Sequence, residues 1–205
     1  MSVEKTRDLL RRLVKKVFEH NEYYIFVNRS LDDLPAERPL PAGLRIVRVD
    51  QGNADELERI EGLPANKRRD FRKMLAQGQV GYFALDGQRV AGHLWAIIPR
   101  PNEVVNRGYV RVYPGEAYAH YAHTYPPYRR QGIAFALSLR FLHEVLSRPD
   151  VRVVKASVLT TNTPSLAMME ALHSRRVGRI SHWRVLGIHY RKVLLDPGQE
   201  QGVCW

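Results

Sequence analysis

The segment Tyr125-Pro126-Pro127-Tyr128-Arg129-Arg130-Gln131-Gly132-Ile133-Ala134 constrains this chain more than any other, because of what lies on either side of it. Before it, Glu116 to Thr124 reads as a strand; after it, Gly132 to Ser147 has helical spacing, with Phe135, Leu139, Leu142, Val145 and Leu146 as a buried stripe. A strand, a turn and a helix in that order leave the last backbone N–H groups of the turn at a helix N-terminus. There, unpaired donors and the positive end of the helix dipole converge, which is a phosphate-binding arrangement. Gly132 allows close approach of a pyrophosphate with no Cβ in the way, and Arg129 and Arg130 add positive charge.

The surrounding pattern is mixed. Val80 to Leu85 and Arg89 to Ile98 form a predicted hairpin around Asp86-Gly87, while Pro99 to Gly108 reads as a loop and Tyr109 to Tyr113 as the start of a strand. Val151 to Thr160 is a strand, Pro164 to His173 a helix begun by Asn162 or Thr163, and Val177 to Leu186 and His189 to Leu195 close the chain as strands. Upstream, Leu44 to Val49 alternates as a half-buried strand, and Asn53 to Glu61 and Asn66 to Gln77 have helical spacing with Asn53 and Asn66 as N-caps. Val3 to His20 is a basic amphipathic helix, Tyr23 to Val27 a short strand, and the prolines of Leu34 to Gly43 mark a linker.

Arg129-Arg130-Gln131-Gly132-Ile133-Ala134 resembles the R/Q-x-x-G-x-G/A signature of the GNAT N-acetyltransferase superfamily, and Pro126-Pro127-Tyr128 is similar to its lead-in. Asn162-Thr163-Pro164-Ser165 is likewise similar to the family's N-x-x-S/A segment and sits the expected distance downstream. The resemblance divides the chain into an N-terminal extension over 1–43, a GNAT-like domain over 44–195 and a tail over 196–205. It implies an α/β fold with a mixed sheet, splayed between the strand ending at Thr124 and the strand ending at Thr160, with acetyl-CoA or another acyl-CoA in the gap. It also implies that Thr124 and Tyr125 meet the pantetheine, that Arg129, Arg130 and the amides of Gln131, Gly132, Ile133, Ala134 and Phe135 take the pyrophosphate, and that Asn162 and Ser165 approach the cofactor.

The reaction so implied is attack of an amine on a thioester, which needs a base for the ammonium proton and an acid for the leaving thiolate. Candidate bases are Glu116, His120 and His123, with His120 first; strand alternation puts the two histidines on opposite faces. Many family members carry a tyrosine acid at the position that aligns with Met169, and methionine has no proton to donate, so Tyr125, Tyr128 or water must take that role.

Composition narrows the remaining classes. The 32 Lys and Arg against 21 Asp and Glu give a net charge of +11, which favours anionic ligands without separating nucleic acid from coenzyme A. One cysteine, Cys204, excludes an intrachain disulfide and a thiolate metal cluster, and the scattered histidines suggest no metal site. No run approaches the ~20 apolar residues of a membrane-spanning helix, so a cytoplasmic protein, a monomer or homodimer, is expected. Two other readings stay open: an acyl-CoA-binding protein of the same fold without turnover, and a nucleic-acid or ribosome-binding module using the Lys67-Arg68-Arg69 run and the basic first helix.

Overall fold

The computed structural model describes residues 18–198. The expected basic helix therefore lies outside the described residues up to Val17, and its last three positions, Phe18 to His20, are already strand. The chain runs β1 (Phe18–Asn28), β2 (Leu44–Val49), α1 (Glu56–Arg59), α2 (Ala65–Ala76), β3 (Val80–Asp86), β4 (Arg89–Ile97), β5 (Val105–Arg107), β6 (Val110–Val112), β7 (Glu116–Thr124), α3 (Ile133–Leu146), β8 (Val153–Leu159), α4 (Thr163–Ala171), β9 (Arg175–Val185) and β10 (Ile188–Leu195).

Eight strands form one sheet in the order β10-β9-β1-β8-β7-β4-β3-β2, and β5 and β6 make a separate two-stranded arm where a loop and a strand start were expected. Every pairing in the large sheet is antiparallel except β7 with β8. The parallel pair is the one joined by a helical crossover, as parallel strands require. The fold is thus the expected α/β class with a mixed sheet.

Helices cover both faces. α3 buries Ile133, Phe135, Leu137, Leu139, Phe141, Leu142 and Val145 against Tyr82, Leu94, Ala117 and Val154, and Met169 and Leu172 of the α4 region complete that layer. On the opposite face Phe71, Met74 and Leu75 of α2 pack on Phe83, Val90 and Trp95. Gly92 allows the first of these layers to close at the start of α3, because a Cβ there would meet His123 O at 3.0 Å and Ile133 Cγ2 at 3.1 Å.

Small differences from the sequence reading have local causes. Asp86 pairs with Arg89, so the hairpin turn is Gly87-Gln88, with Gly87 at φ 58. Asn53 ends a short 3₁₀ turn: its Oδ1 accepts the Asp50 N–H at 2.8 Å while Asp50 Oδ1 accepts the Gly52 N–H at 2.8 Å. Asn66 is the second residue of α2, which starts directly after Pro64, so it caps nothing.

The larger difference concerns β1. Tyr23 to Val27 reads in the sequence as a short strand of the extension over 1–43; β1 is eleven residues long where five were expected and runs through the sheet, bonded to β8 on one side and β9 on the other. Its alternation explains this position: Ile25 and Val27 enter the cluster with Val153, Val177 and Ile180, while Phe26 faces the α3 layer. Both faces of the strand are buried from Ile25 to Val27, where it lies between β8 and β9.

Replacing Ile25, which is fully buried, by Ala is expected to lower unfolding free energy by about 2–5 kcal/mol through lost burial and a residual cavity. Urea titration measures this; a loss below about 1 kcal/mol would show that β1 is a peripheral strand.

Candidate active site

β7 and β8 stay paired only from Glu116↔Val153 to Ala119↔Ala156. Beyond that point β8 continues along β1 through Ser157, Val158 and Leu159, and β7 continues along β4 through His123 and Thr124, so the two parallel strands diverge. Their facing backbone groups past Ala119 and Ala156 have no strand partner across the gap. A bulge assists the divergence. Trp95 pairs with His120 and His93 with His123, so β7 carries one extra residue, and Tyr121 adopts φ 55 there.

A cavity of about 250 Å³ occupies the opening. Its walls come from both diverging strands, including Ala119, His120, Ala156 and Ser157, from Ser138 and Phe141 of α3, and from Ser165, Met168 and Met169 of α4. At the closed end, the fully buried Lys155 donates to Glu116 Oε2 at 2.5 Å and to Arg111 O at 3.1 Å. Glu116 Oε2 also accepts the Tyr113 N–H at 2.9 Å. The candidate base Glu116 is thus occupied as a buried ion-pair partner below the cavity and is not among its lining residues.

At the open end the chain leaves β7 through Tyr125 and a 3₁₀ turn, Pro126–Tyr128. Arg130 (φ 63) and Gly132 (φ 74) are both left-handed, which curls the loop before α3. No side chain caps α3, and the first backbone bond into it runs from the Ala136 N–H to Gly132 O at 3.0 Å. The N–H groups of Ile133, Ala134 and Phe135 therefore form an uncapped helix start. A Cβ on Gly132 would meet nothing within 4 Å, so the need for glycine here is its φ. Arg129 Nε donates to Thr124 O at 3.3 Å and Gln131 Nε2 to Pro127 O at 3.2 Å, both from exposed side chains that brace the loop. Phe135 is buried beneath the Arg38 guanidinium, 4.8 Å from its ring centroid. Across the gap Asn162 Oδ1 caps α4 by accepting the Ser165 N–H at 3.3 Å, and both residues line the cavity.

The bulge also corrects the expected directions of the histidines. His93 and Trp95 are two apart on β4 and share a face, so their partners His123 and His120 share that face as well, the one covered by α2. His120 Nε2 lies 3.0 Å from Gln79 Oε1, an acceptor, which makes Nε2 the protonated nitrogen and leaves the buried Nδ1 lone pair without a partner. Burial first, and then the Arg107 charge, push His120 down to about 3, so it is neutral at physiological pH. His123 is exposed and lowered by partial desolvation, then by Arg129 and Lys67.

Tyr125 packs edge-on to His123 with centroids 5.0 Å apart, and its phenol is raised by burial and then by Tyr121. Neither His123 nor Tyr125 lines the cavity. Tyr128 is turned away too, donating to Asp86 Oδ2 at 3.1 Å, and Met169 is buried in the α3 layer.

Other residues take their place at the cavity. Ser157 Oγ lies 2.7 Å from Tyr118 OH and 3.1 Å from Tyr109 OH, and Tyr23 stacks on Tyr109 with centroids 4.4 Å apart. Burial raises the Tyr118, Tyr109 and Tyr23 phenols, so all three hold their protons at neutral pH. Either oxygen of each contact can be the donor, and the arrangement in which both tyrosines donate leaves the Ser157 hydroxyl hydrogen for the cavity it lines. A serine inside the strand run Val153-Val154-Lys155-Ala156-Ser157-Val158-Leu159, in which it and Lys155 are the only polar residues, was the available sequence signal for this group.

A family model described as Acetyltransferase (GNAT) family matches residues 50–173. Solved structures show the same fold. A tandem GNAT protein from the clavulanic acid biosynthesis pathway is 20% identical with a TM-score of 0.56, over 84% of this chain and 54% of that one. A GCN5-related N-acetyltransferase-like protein from Streptococcus suis is 13% identical with a TM-score of 0.53, over 86% of this chain and 66% of the other. Arabidopsis thaliana NAA60 in complex with acetyl-CoA is 19% identical with a TM-score of 0.51, over 74% and 96%. The chain thus spans less than two thirds of the length of the first two. A search of curated proteins gave no match.

The histidine environments carry a pH consequence. His93, fully buried with neither ring nitrogen bonded, is pushed down to about 3 by burial, then by His123 and Lys67, as His120 is by burial. The unfolded chain binds these protons near the ordinary value of 6.5 and the folded chain near 3, so stability falls as pH drops through that window. Urea midpoints measured across it should fall with pH, and His93→Leu should flatten the slope; an unchanged slope would contradict the assigned burial.

Proposed function

The chain belongs to the GNAT acetyltransferase family, and from that premise we propose that it is an acyl-CoA-dependent N-acyltransferase, moving an acetyl group from acetyl-CoA to a primary amine by direct attack. The observation that carries this reading is the coincidence of two features: strands that part after Ala119 and Ala156, and an uncapped helix start at Ile133 at the mouth of the opening.

The pyrophosphate would lie on the N–H groups of Gln131 to Phe135, with Arg129 and Arg130 close enough to add charge. The pantetheine amides would satisfy the unpartnered backbone of β7, from His120 to Thr124, and of β8 after Ala156. Asn162 and Ser165 would bound the cofactor on the α4 side. This brings the thioester to the parting point, between His120 and Ser157.

The amine nitrogen attacks the thioester carbonyl, a C–N bond forms, and the C–S bond breaks. Burial in the cleft favours the uncharged amine, so most of the ammonium proton is lost to water before attack. A histidine held at about 3 does not store that proton; the Nδ1 lone pair of His120 instead accepts a hydrogen bond that orients the nucleophile. The leaving thiolate takes its proton from Ser157, which is resupplied by Tyr118 and Tyr109, and the proton that the acylated nitrogen gives up as the amide forms returns through water to that relay. This relay would do what the buried Met169 cannot.

Calorimetric titration should find saturable acetyl-CoA binding that Gly132→Glu abolishes, since a carboxylate at φ 74 both strains the turn and repels the pyrophosphate. Unchanged affinity in the folded variant would contradict the phosphate site. Ser157→Ala should keep acetyl-CoA affinity within about twofold while slowing CoA release about tenfold or more; an undiminished rate would remove Ser157 from the mechanism. Acetyl-CoA binding with no CoA release to any amine would point to a binding protein, the reading that the buried Met169 favours.

A further inference from the structure

A second cavity, about 810 Å³, lies on the α2 face between Ala76–Gln79, the end of β4 at Ile97 and Ile98, and the β5 arm. It shares a wall with the first. Gln79 and Arg107 line it, His120 lines the cavity at the strand opening, and the three are linked: Gln79 Oε1 accepts from His120 Nε2 at 3.0 Å and from Arg107 Nη1 at 3.4 Å. A ligand filling the second cavity therefore sits two hydrogen bonds from the imidazole at the proposed site of attack.

The charge of this wall is uncompensated. Arg107 is half-buried, and among the described residues no carboxylate lies within ion-pair distance of it. The groups that face it are the phenols of Tyr118, Tyr121 and Tyr109, none of them a carboxylate. The cavity's one carboxylate, Glu103, stands at the exposed rim and accepts the Arg100 N–H at 3.1 Å. Lys67, bonded to Tyr121 OH, adds a second positive charge on the same face. A partly buried guanidinium bonded only to an amide oxygen is costly unless a ligand supplies the anion. Its planar fork matches a carboxylate or phosphate through two parallel bonds.

We propose that the second cavity is the acceptor site, and that Arg107 recognises an anionic group, carboxylate or phosphate, on a small primary amine. The cavity volume suits a metabolite-sized molecule. The inference rests on acyl-CoA occupying the first cavity. It assigns Arg107 to specificity and the hydrogen-bonded Gln79 to positioning, because Gln79 fixes both the guanidinium and the tautomer of His120.

The test uses the purified chain, acetyl-CoA and matched amine pairs: leucine against isopentylamine, and phosphoethanolamine against ethanolamine. CoA release gives kcat and KM, and calorimetry gives the acetyl-CoA affinity separately. The anionic member of at least one pair should be preferred by about tenfold or more in kcat/KM, and the pair that shows the preference identifies the anion. Arg107→Ala should erase the preference by raising KM for the anionic member, with acetyl-CoA affinity within about twofold of the parent. Arg107→Lys, which keeps the charge and loses the fork, should retain part of it and serves if the alanine variant fails to fold. Equal use of both members in both pairs, a preference that survives both substitutions, or bound acetyl-CoA with neither member consumed would overturn the proposal. A parent chain that fails to bind acetyl-CoA would instead overturn the function on which it rests.

Discussion

Two adjacent parallel strands, β7 and β8, are joined at one end and separated at the other, and the placement of every candidate site group follows from that. The joined end is fixed by an ion pair, Lys155 with Glu116, in which the ammonium has no exposed surface and takes a further bond to Arg111 O. A buried pair tolerates no loosening, because separating the partners leaves a charge without solvent. Five residues further along β7 the left-handed Tyr121 inserts an extra residue, and the strand follows β4 away from β8. The opening is thus built from a rigid closure and a programmed irregularity, and its free backbone edges are polar groups awaiting a partner.

The two helical layers give the opening two different sides. On one side α3 and α4 supply the helix start, the Asn162 cap and the apolar wall of Phe141 and Met169, a setting for an elongated phosphorylated ligand. On the other, α2, the β5 arm and the tyrosines around Ser157 form a wider, positively charged approach. Only the bulge brings His120 and His123 to that second side together. β1 contributes to both sides, backing β8 throughout and placing Tyr23 beside Tyr109, so the first strand in the chain helps to shape the site.

Much of this was legible in the residues. The Arg129-to-Ala134 pattern with its flanking strand and helix, and the Asn162 cap, located the helix start and the opposite wall, because capping and glycine φ requirements are local properties. β7 was bounded correctly from Glu116 to Thr124. What failed was non-local. A period of two assigns faces only while pairing is regular, so the Tyr121 bulge reversed the expected relation of His120 and His123. Glu116 reads as a free base until Lys155, thirty-nine residues away, is placed against it. Ser157 acquires its neighbours from β7 and from Tyr109, and β1 enters the sheet by pairing with strands far downstream, as in Asn28 with Val154 and Tyr23 with Leu159. Arg107 carries no signal in sequence at all, since its significance is the absence of a carboxylate around it.

The claim on which the account stands is that acyl-CoA occupies the gap between β7 and β8, and amide hydrogen exchange with and without acetyl-CoA tests it most directly. The account predicts concerted protection of the α3 start from Gln131 to Phe135 together with the facing edges, His120 to Thr124 on β7 and Ser157 to Leu159 on β8. Protection confined to the helix start, reproduced in full by ADP, would contradict it, because a polyphosphate would then bind the turn while the gap remained unused.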